Sequence, residues 1–353
     1  MLTTLPLEDF VPRSQLVVPE HEVPRARFAA IDAHIHLDEH GESARNPAWR
    51  IAEPRQLFDA LDERNIRAVV DLDGWVGSRL PHAVAAYKQS YPGRAAILAA
   101  PDWSRCQQPG WPEALAAQFR RAVSEGADGL KVPKDLGLEL RDEKAALLRI
   151  DDRRLDPLWS AVGEAGMPVV IHVADPVAFF TPVDRHNERW DELASRPEWS
   201  WYGRGLPQFS ELMEQLIAAI ERHPGTTFQL AHVGCYAENL QFVSEGILKP
   251  YGNAYTDISE RIAELGRQPY SARRFIIEHQ DRVLFGSDRP PLGPWHPYYF
   301  RFLETWDEYF PHGPEEPPRQ GRWGICGIGL PDDVLEKVYR GNAERLYPGL
   351  RQP

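Results

Sequence analysis

Apolar and polar positions in this chain fall into blocks rather than alternating residue by residue. Eight short blocks are almost wholly apolar and turn polar only at their C-terminal ends: FAAIDAHIHL, IRAVVDLDG, AAILAAPDW, ADGLKVPKD, MPVVIHVADP, TTFQLAHVGC, NAYTDIS and RVLFGSDRP. Unbroken apolar runs of this length are what strands buried on both faces look like. Helical patterns lie between them: EPRQLFDALDERN, WPEALAAQFRRAVSEG, LDPLWSAVGEAG, FSELMEQLIAAIERHPG and ARRFIIEHQ, with Gly126 and Gly166 as stops. PDDVLEKVYRGNAERLYPGL reads as a closing amphipathic helix. Strands that alternate with helices imply a parallel sheet, and eight such units imply an α/β fold of the (β/α)8 TIM-barrel type. We therefore expect one barrel domain over residues 28–353, preceded by a Pro- and charge-rich arm over 1–27. An open doubly wound sheet is the rival. It would show a Gly-rich turn after the first strand, and none is there.

Two connections are long, residues 175–208 after the fifth run and 290–330 after the eighth. Long βα loops rise from the barrel mouth and carry function more often than not. Their aromatic residues, Trp190, Trp199, Trp201, Tyr202, Trp295, Tyr298, Tyr299 and Trp323, could wall a pocket for a ring or could pack on one another.

The bulk properties narrow the partners. A net charge of −12 lacks the basic footprint of a nucleic-acid binder. No uninterrupted apolar stretch reaches membrane-spanning length, and the N-terminus shows no secretory pattern. Three scattered cysteines imply no disulfide framework, which sets a cytoplasmic location as the expectation. The expected partner is a small-molecule substrate, without nucleic acid or membrane.

The chemistry gathers where the apolar runs stop. The first run ends with His34 and His36, the fourth with Lys131, the fifth with His172, the sixth with His232 and the eighth with Asp288. In a strand, residues i and i+2 share a face, so His34 and His36 should project together, with Ala33 and Ile35 on the other side. A barrel brings all of these ends to one small volume. Taken singly, each has an ordinary explanation: a hydrogen-bonded core histidine, a helix cap, a snorkelling lysine. Taken together, four imidazoles, a carboxylate and an ammonium are costly to bury unless they bind something. Imidazole and carboxylate suit Zn2+ first, then Mn2+, Fe2+ or Ni2+. Such an ion activates water and polarises a carbonyl, and an Asp beside it can take the water's proton. Arg289 and Arg261 are candidate anion-binding residues, with structural ion pairs as the alternative. Cys235 reads as packing. His186 and His296 lie in the long loops, within reach of a substrate.

The order of these residues, together with IDAHIHL, VLFGSDRP and GNAERLYPGL, resembles the amidohydrolase superfamily, and most closely its amidohydrolase-related branch of hydrolases, lactonases and nonoxidative decarboxylases. The resemblance spans about residues 28–346. It implies that His34, His36, His172 and Asp288 hold one divalent metal. It leaves His232 as a free imidazole that polarises a carbonyl or shuttles a proton. In binuclear members the lysine at the place of Lys131 is carboxylated and bridges a second metal; unmodified, Lys131 would contact a substrate anion or hydroxyl. Members of the branch are often oligomers, which leaves a homo-oligomer open.

The expected activity is therefore metal-dependent hydrolysis of a carboxylic ester, lactone or amide by activated water, with Asp288 and His232 catalytic. Nonoxidative decarboxylation of an aromatic or unsaturated acid, a metal-independent lactonase, and a non-catalytic binding protein on the same scaffold compete with it.

Overall fold

The computed structural model describes residues 4–6, 9–37 and 53–351. Eight parallel strands pair in chain order: β1 (Ala30–Ile35), β2 (Ile66–Trp75), β3 (Ala95–Ala99), β4 (Gly129–Val132), β5 (Pro168–Ile171), β6 (Thr227–Leu230), β7 (Ala254–Asp257) and β8 (Val283–Leu284). Backbone bonds from Ala33 N to Phe285 O, 3.0 Å, and from Asp288 N to His34 O, 2.8 Å, carry the sheet from β8 back to β1. The TIM-barrel architecture read from the block pattern is the one present.

The barrel has two cores. Small and branched residues from opposite walls, Ile31, Ala33, Ala68, Val70, Leu98, Val170 and Leu284, meet in the lumen, together with Leu346, Tyr347 and Leu350 from the C-terminal segment. The Tyr347 hydroxyl donates to Gln229 Oε1 at 2.8 Å, so the buried amide has a partner there. The outer core lies between the strands and the helices. Helix Phe209–Arg222 buries Leu212, Met213, Leu216, Ala219 and Ile220 against it. Helices Pro54–Glu63, Trp111–Ser124, Asp156–Glu164 and Pro269–Glu278 each have proline in the first turn, where its fixed φ suits a helix and no N–H is missed.

Two boundaries depart from the block reading, and both shape the mouth. The eighth apolar run extends to residue 290, yet the strand ends at Leu284. Beyond it, Asp32 accepts from Ser287 N at 2.9 Å and from Ser287 Oγ at 2.5 Å, which turns the chain toward β1. In β1 the register has Asp32 opposite Val69 and Ile35 opposite Asp71, three residues against two. This bulge breaks strict alternation. Ala33 keeps the lumen face with Ile31, whereas Ile35, beyond the bulge, turns into the outer core, so the expected pairing of Ala33 with Ile35 on one face is not present.

Candidate active site

His34, His36, His172, His232, Lys131 and Asp288 come together at the C-terminal mouth of the barrel. His34, His232 and Asp288 each offer a ligand atom, and those atoms lie within 4.8 Å of one another. His34 Nε2 is 3.5 Å from Asp288 Oδ2, and His232 Nε2 is 3.6 Å from the same oxygen. His36 Nε2 faces the other carboxylate oxygen at 3.4 Å. His172 stands one ring further out, its centroid 4.5 Å from that of His232, and its buried Nε2 has no hydrogen-bond partner among the described residues.

The other nitrogen of three rings is tied down. His36 Nδ1 meets Asp73 Oδ1 at 2.9 Å, His34 Nδ1 meets Asp257 Oδ2 at 3.2 Å, and His232 Nδ1 meets Ser259 O at 3.0 Å. A carboxylate or a carbonyl only accepts, so each Nδ1 carries the hydrogen and each Nε2 presents a lone pair to the centre. Ser259 Oγ lies 2.9 Å from both the His34 and the His232 Nδ1, and it donates to Asp257 Oδ1. Asp257 also accepts from His232 N at 3.0 Å. Burial works against its charge, but His34, His232 and Ser259 hold the Asp257 carboxyl well below the usual range. The same balance, set by His34, His36, His232 and Lys131, holds Asp288 ionised. Burial pushes His172 and His232 well down, and the neighbouring imidazole adds to this in each case. Burial also pushes Lys131 down, offset in part by Asp288 and Asp257.

Backbone strain concentrates at this mouth. Ala174 after β5, His232, Val233 and Cys235 after β6, Glu260 after β7 and Asp288 after β8 all have φ between 50° and 62°. Non-glycine residues held there cost about 1 kcal/mol or more each, and they cluster where function demands a particular geometry. Gly286 has a different reason to be glycine. A Cβ there would stand 2.8 Å from His34 Cβ, so its absence lets the Asp288 turn close onto the β1 histidines.

A cavity of about 390 Å³ opens over the group, lined by His172, His232, Arg261, Asp288, Arg289, Phe179, Trp199 and Trp295 among others. The two arginines differ. Arg289 Nε is 2.5 Å from Glu260 Oε1, and its guanidinium stacks 3.8 Å over Trp295, so it has an ion pair. No carboxylate of the described residues is within ion-pair distance of Arg261. Of the eight loop aromatics, Trp199 and Trp295 line this cavity. Trp201 is buried and donates to Asp175, Tyr299 donates to Ser287 O, and Trp323 donates to Ala263 O, while Trp190 and Tyr202 are exposed elsewhere. His296 is a correction: it is fully buried, 3.0 Å from Asp32 Oδ2, and braces the β8 turn from below. His186 is exposed and contacts Arg185. Cys235 is buried, its thiol pushed up to about 12 by that burial, as fits packing.

The sequence reading passed over Asp73, Asp257 and Ser259. A signal for them existed in the polar i, i+2 pairs that end two runs, Asp71/Asp73 in DLDG and Asp257/Ser259 in TDIS.

The strand ends of this barrel bring together His34, His232 and Asp288, a group that could hold a metal ion. The amidohydrolase family model matches residues 31–349, and the chain belongs to that family. No curated protein sequence matches it. Among solved structures, 2,6-dihydroxybenzoate decarboxylase is similar at 15% identity, with 91% of this chain and 99% of that chain covered and a TM-score of 0.54. The 5-carboxyvanillate decarboxylase of Sphingomonas paucimobilis is 16% identical, with 91% and 99% covered and a TM-score of 0.52. A zinc-bound amidohydrolase from Burkholderia multivorans is 14% identical, with 90% and 99% covered and a TM-score of 0.52. At these identities the likeness is one of fold. Among the described residues, no helix is long and apolar enough to cross a membrane.

Proposed function

We propose that this chain is a metal-dependent hydrolase of a carboxylic ester, lactone or amide, with His34, His36, His172 and Asp288 holding one divalent ion, Zn2+ first among the candidates. The observation that carries this reading is the convergence of the His34 and His36 Nε2 lone pairs on the Asp288 carboxylate, each with its Nδ1 held by an acceptor, while His232 Nε2 faces the same carboxylate as the free imidazole. The orphaned Nε2 of His172 fits the same group, because a buried imidazole nitrogen without a partner is costly unless it is ligated. An ion bound there lowers the pKa of water and polarises a carbonyl.

The chain's own residues supply the rest. Asp288, ionised and beside three imidazoles, accepts the proton of the attacking water. His232 carries its hydrogen on Nδ1, so its Nε2 takes up a proton rather than donating one. That favours the proton-shuttle role over polarisation of the carbonyl. Its lowered pKa helps it release the proton again to the leaving group.

A second reading is favoured by Lys131, a buried ammonium near Asp288 with no carboxylate within ion-pair distance among the described residues. It would suit a substrate carboxylate, and the site would then decarboxylate an aromatic or unsaturated acid. Burial also favours the neutral amine of Lys131, the form that can be carboxylated to bridge a second metal.

Metal content per chain, measured on untagged wild type, Asp288→Ala and Lys131→Ala, tests the reading together with a panel of esters, lactones, amides and aromatic acids. One ion per chain, lost in Asp288→Ala and kept in Lys131→Ala, with acid released from the panel, is expected. CO2 release would select the second reading, two ions falling together in Lys131→Ala the binuclear form, and full activity after chelation would overturn metal dependence.

A further inference from the structure

We propose that Tyr299 is a positioning residue of this site: its hydroxyl ties the turn after β7 to the turn after β8, and so sets where the Asp288 carboxylate stands against the β1 histidines. This rests on the proposed function for the role of Asp288 as a metal ligand, but not for the tie itself.

The helix His296–Glu304 follows the β8 turn and packs beneath it. Its first residues present two polar side chains, His296 and Tyr299, three positions apart and therefore on one face. Both are buried, at 0% and 1% exposure. His296 meets Asp32, which also accepts from Ser287 N, from Ser287 Oγ and from His34 N at 3.2 Å. Tyr299 holds a different part of the same turn. Its Oη donates to Ser287 O at 2.8 Å and accepts from Glu260 N at 2.9 Å. A carbonyl only accepts and an amide only donates, so the single phenolic hydrogen has one possible direction. One oxygen atom thus joins main-chain groups of two turns that come from different strands.

Those turns are strained at the points the hydroxyl reaches. Glu260 has a φ of 56°, and Asp288, next to Ser287, a φ of 50°. Such conformations persist at non-glycine residues only where the surroundings over-determine the backbone. Around Ser287 they do. Asp32 takes its N–H and hydroxyl, Tyr299 takes its carbonyl, and His34 O takes the next amide, Asp288 N, at 2.8 Å. Without the Tyr299 oxygen, the direct main-chain link between the turns is the contact from Glu260 N to Ser287 O at 3.3 Å. The Glu260–Arg289 ion pair joins the same two turns from the cavity side, so Tyr299 closes the junction from below. The turn held in this way carries the carboxylate that faces His34, His36 and His232. The rival account is that Tyr299 only fills space. Its ring packs edge-on to Phe285 with centroids 6.0 Å apart, a contact that phenylalanine reproduces. The two accounts therefore differ in the oxygen alone.

Tyr299→Phe removes that oxygen and keeps the ring. Thr226→Val is the control: Thr226 Oγ1 donates to Trp159 O at 2.9 Å, is buried, and precedes β6 at the end of the barrel away from the mouth. The full chain is compared as wild type and both variants, by amide hydrogen exchange of the metal-stripped protein on fragments covering residues 285–289, and by thermal melting. The same proteins are then loaded with Co2+, and its visible absorption and its affinity, from chelator competition, are read. In Tyr299→Phe, exchange at 285–289 should quicken at least about tenfold, the Co2+ bands should shift, and affinity should fall by roughly tenfold. Thr226→Val should lower the melting midpoint to a similar degree and leave exchange at 285–289 and the Co2+ bands as in wild type. Wild-type exchange and Co2+ bands in Tyr299→Phe overturn the proposal, whatever its melting midpoint. Unfolding of Tyr299→Phe assigns the hydroxyl to the stability of the whole barrel and overturns it as well. Wild type that takes up no Co2+ would count against the metal reading alone, because the exchange comparison still decides the tie.

Discussion

Gly286→Ala tests whether the close approach of β8 to β1 is what assembles the candidate centre. The added Cβ would stand 2.8 Å from His34 Cβ and 3.3 Å from His34 N, where ordinary contact begins at 3.4 Å. Neither neighbour is a flexible tip, so the two segments must part by about 0.6 Å. Asp288 is two residues on and hydrogen-bonded to His34 O, so it moves with the turn. Metal–ligand distances tolerate only about 0.2 Å, so the displacement exceeds what a ligand set absorbs without loss. We expect metal affinity to fall by roughly tenfold or more, by analogy with disturbed supporting contacts. Overpacking of this kind costs about 1–3 kcal/mol and should lower the melting midpoint by on the order of 5 °C. Gly225→Ala is the control, since nothing lies within 4 Å of its added Cβ. Competition with a chelating indicator reads affinity, and calorimetry reads the midpoint. Wild-type affinity and midpoint in Gly286→Ala would refute the reasoning.

Asp73→Asn keeps an acceptor for His36 Nδ1 but removes the charge that, against burial, raises the His36 pKa. Metal affinity should drop by roughly 10–100-fold with little change in melting, read by the same indicator competition. Asp307 anchors the N-terminal arm by accepting from His21 N at 2.7 Å and pairing with Arg301 at 2.7 Å. Burial opposes its charge, but His21 and Arg301 hold its carboxyl below the usual value. Its contribution is therefore complete above the unfolded pKa of about 4 and is lost as pH falls through the lower folded value. The midpoint gap between wild type and Asp307→Asn should be constant from pH 8 to 5 and shrink only below about pH 4. A gap that already closes between pH 7 and 5 would contradict this assignment.

Much of the fold was legible because it rests on local composition: continuous apolar runs make doubly buried strands, and proline starts helices. The histidines and Asp288 were legible because each ends such a run, where a polar residue has no reason to be unless the strand has reached the mouth. What escaped depends on distant partners. Asp257 and Ser259 look like any polar strand end until β1 and β6 are placed beside them. Whether Trp199 lines a cavity while Trp201 bonds Asp175 depends on the path of a 34-residue loop, which no local pattern encodes. His296 could be placed in a loop but not beneath the centre, because its partner Asp32 is 264 residues away.

The single hydrogen of the Ser259 hydroxyl goes to Asp257, so its oxygen can serve His34 and His232 only as an acceptor. The same rotor thereby reinforces the one tautomer that Asp257 and the Ser259 carbonyl impose on two of the rings around the centre. An ion arriving at His34 Nε2 displaces no hydrogen from that ring, the His232 Nε2 beside it stays free, and the tally of bound protons at these two positions is equal before and after loading. Calorimetric heats of metal uptake should then vary little with the ionisation enthalpy of the buffer. Ser259→Ala leaves the Asp257 carboxylate and the backbone carbonyl of residue 259 as acceptors for the two Nδ1–H groups, so the heat should stay independent of buffer there too; a buffer-dependent heat in wild type would contradict the tautomer assignment.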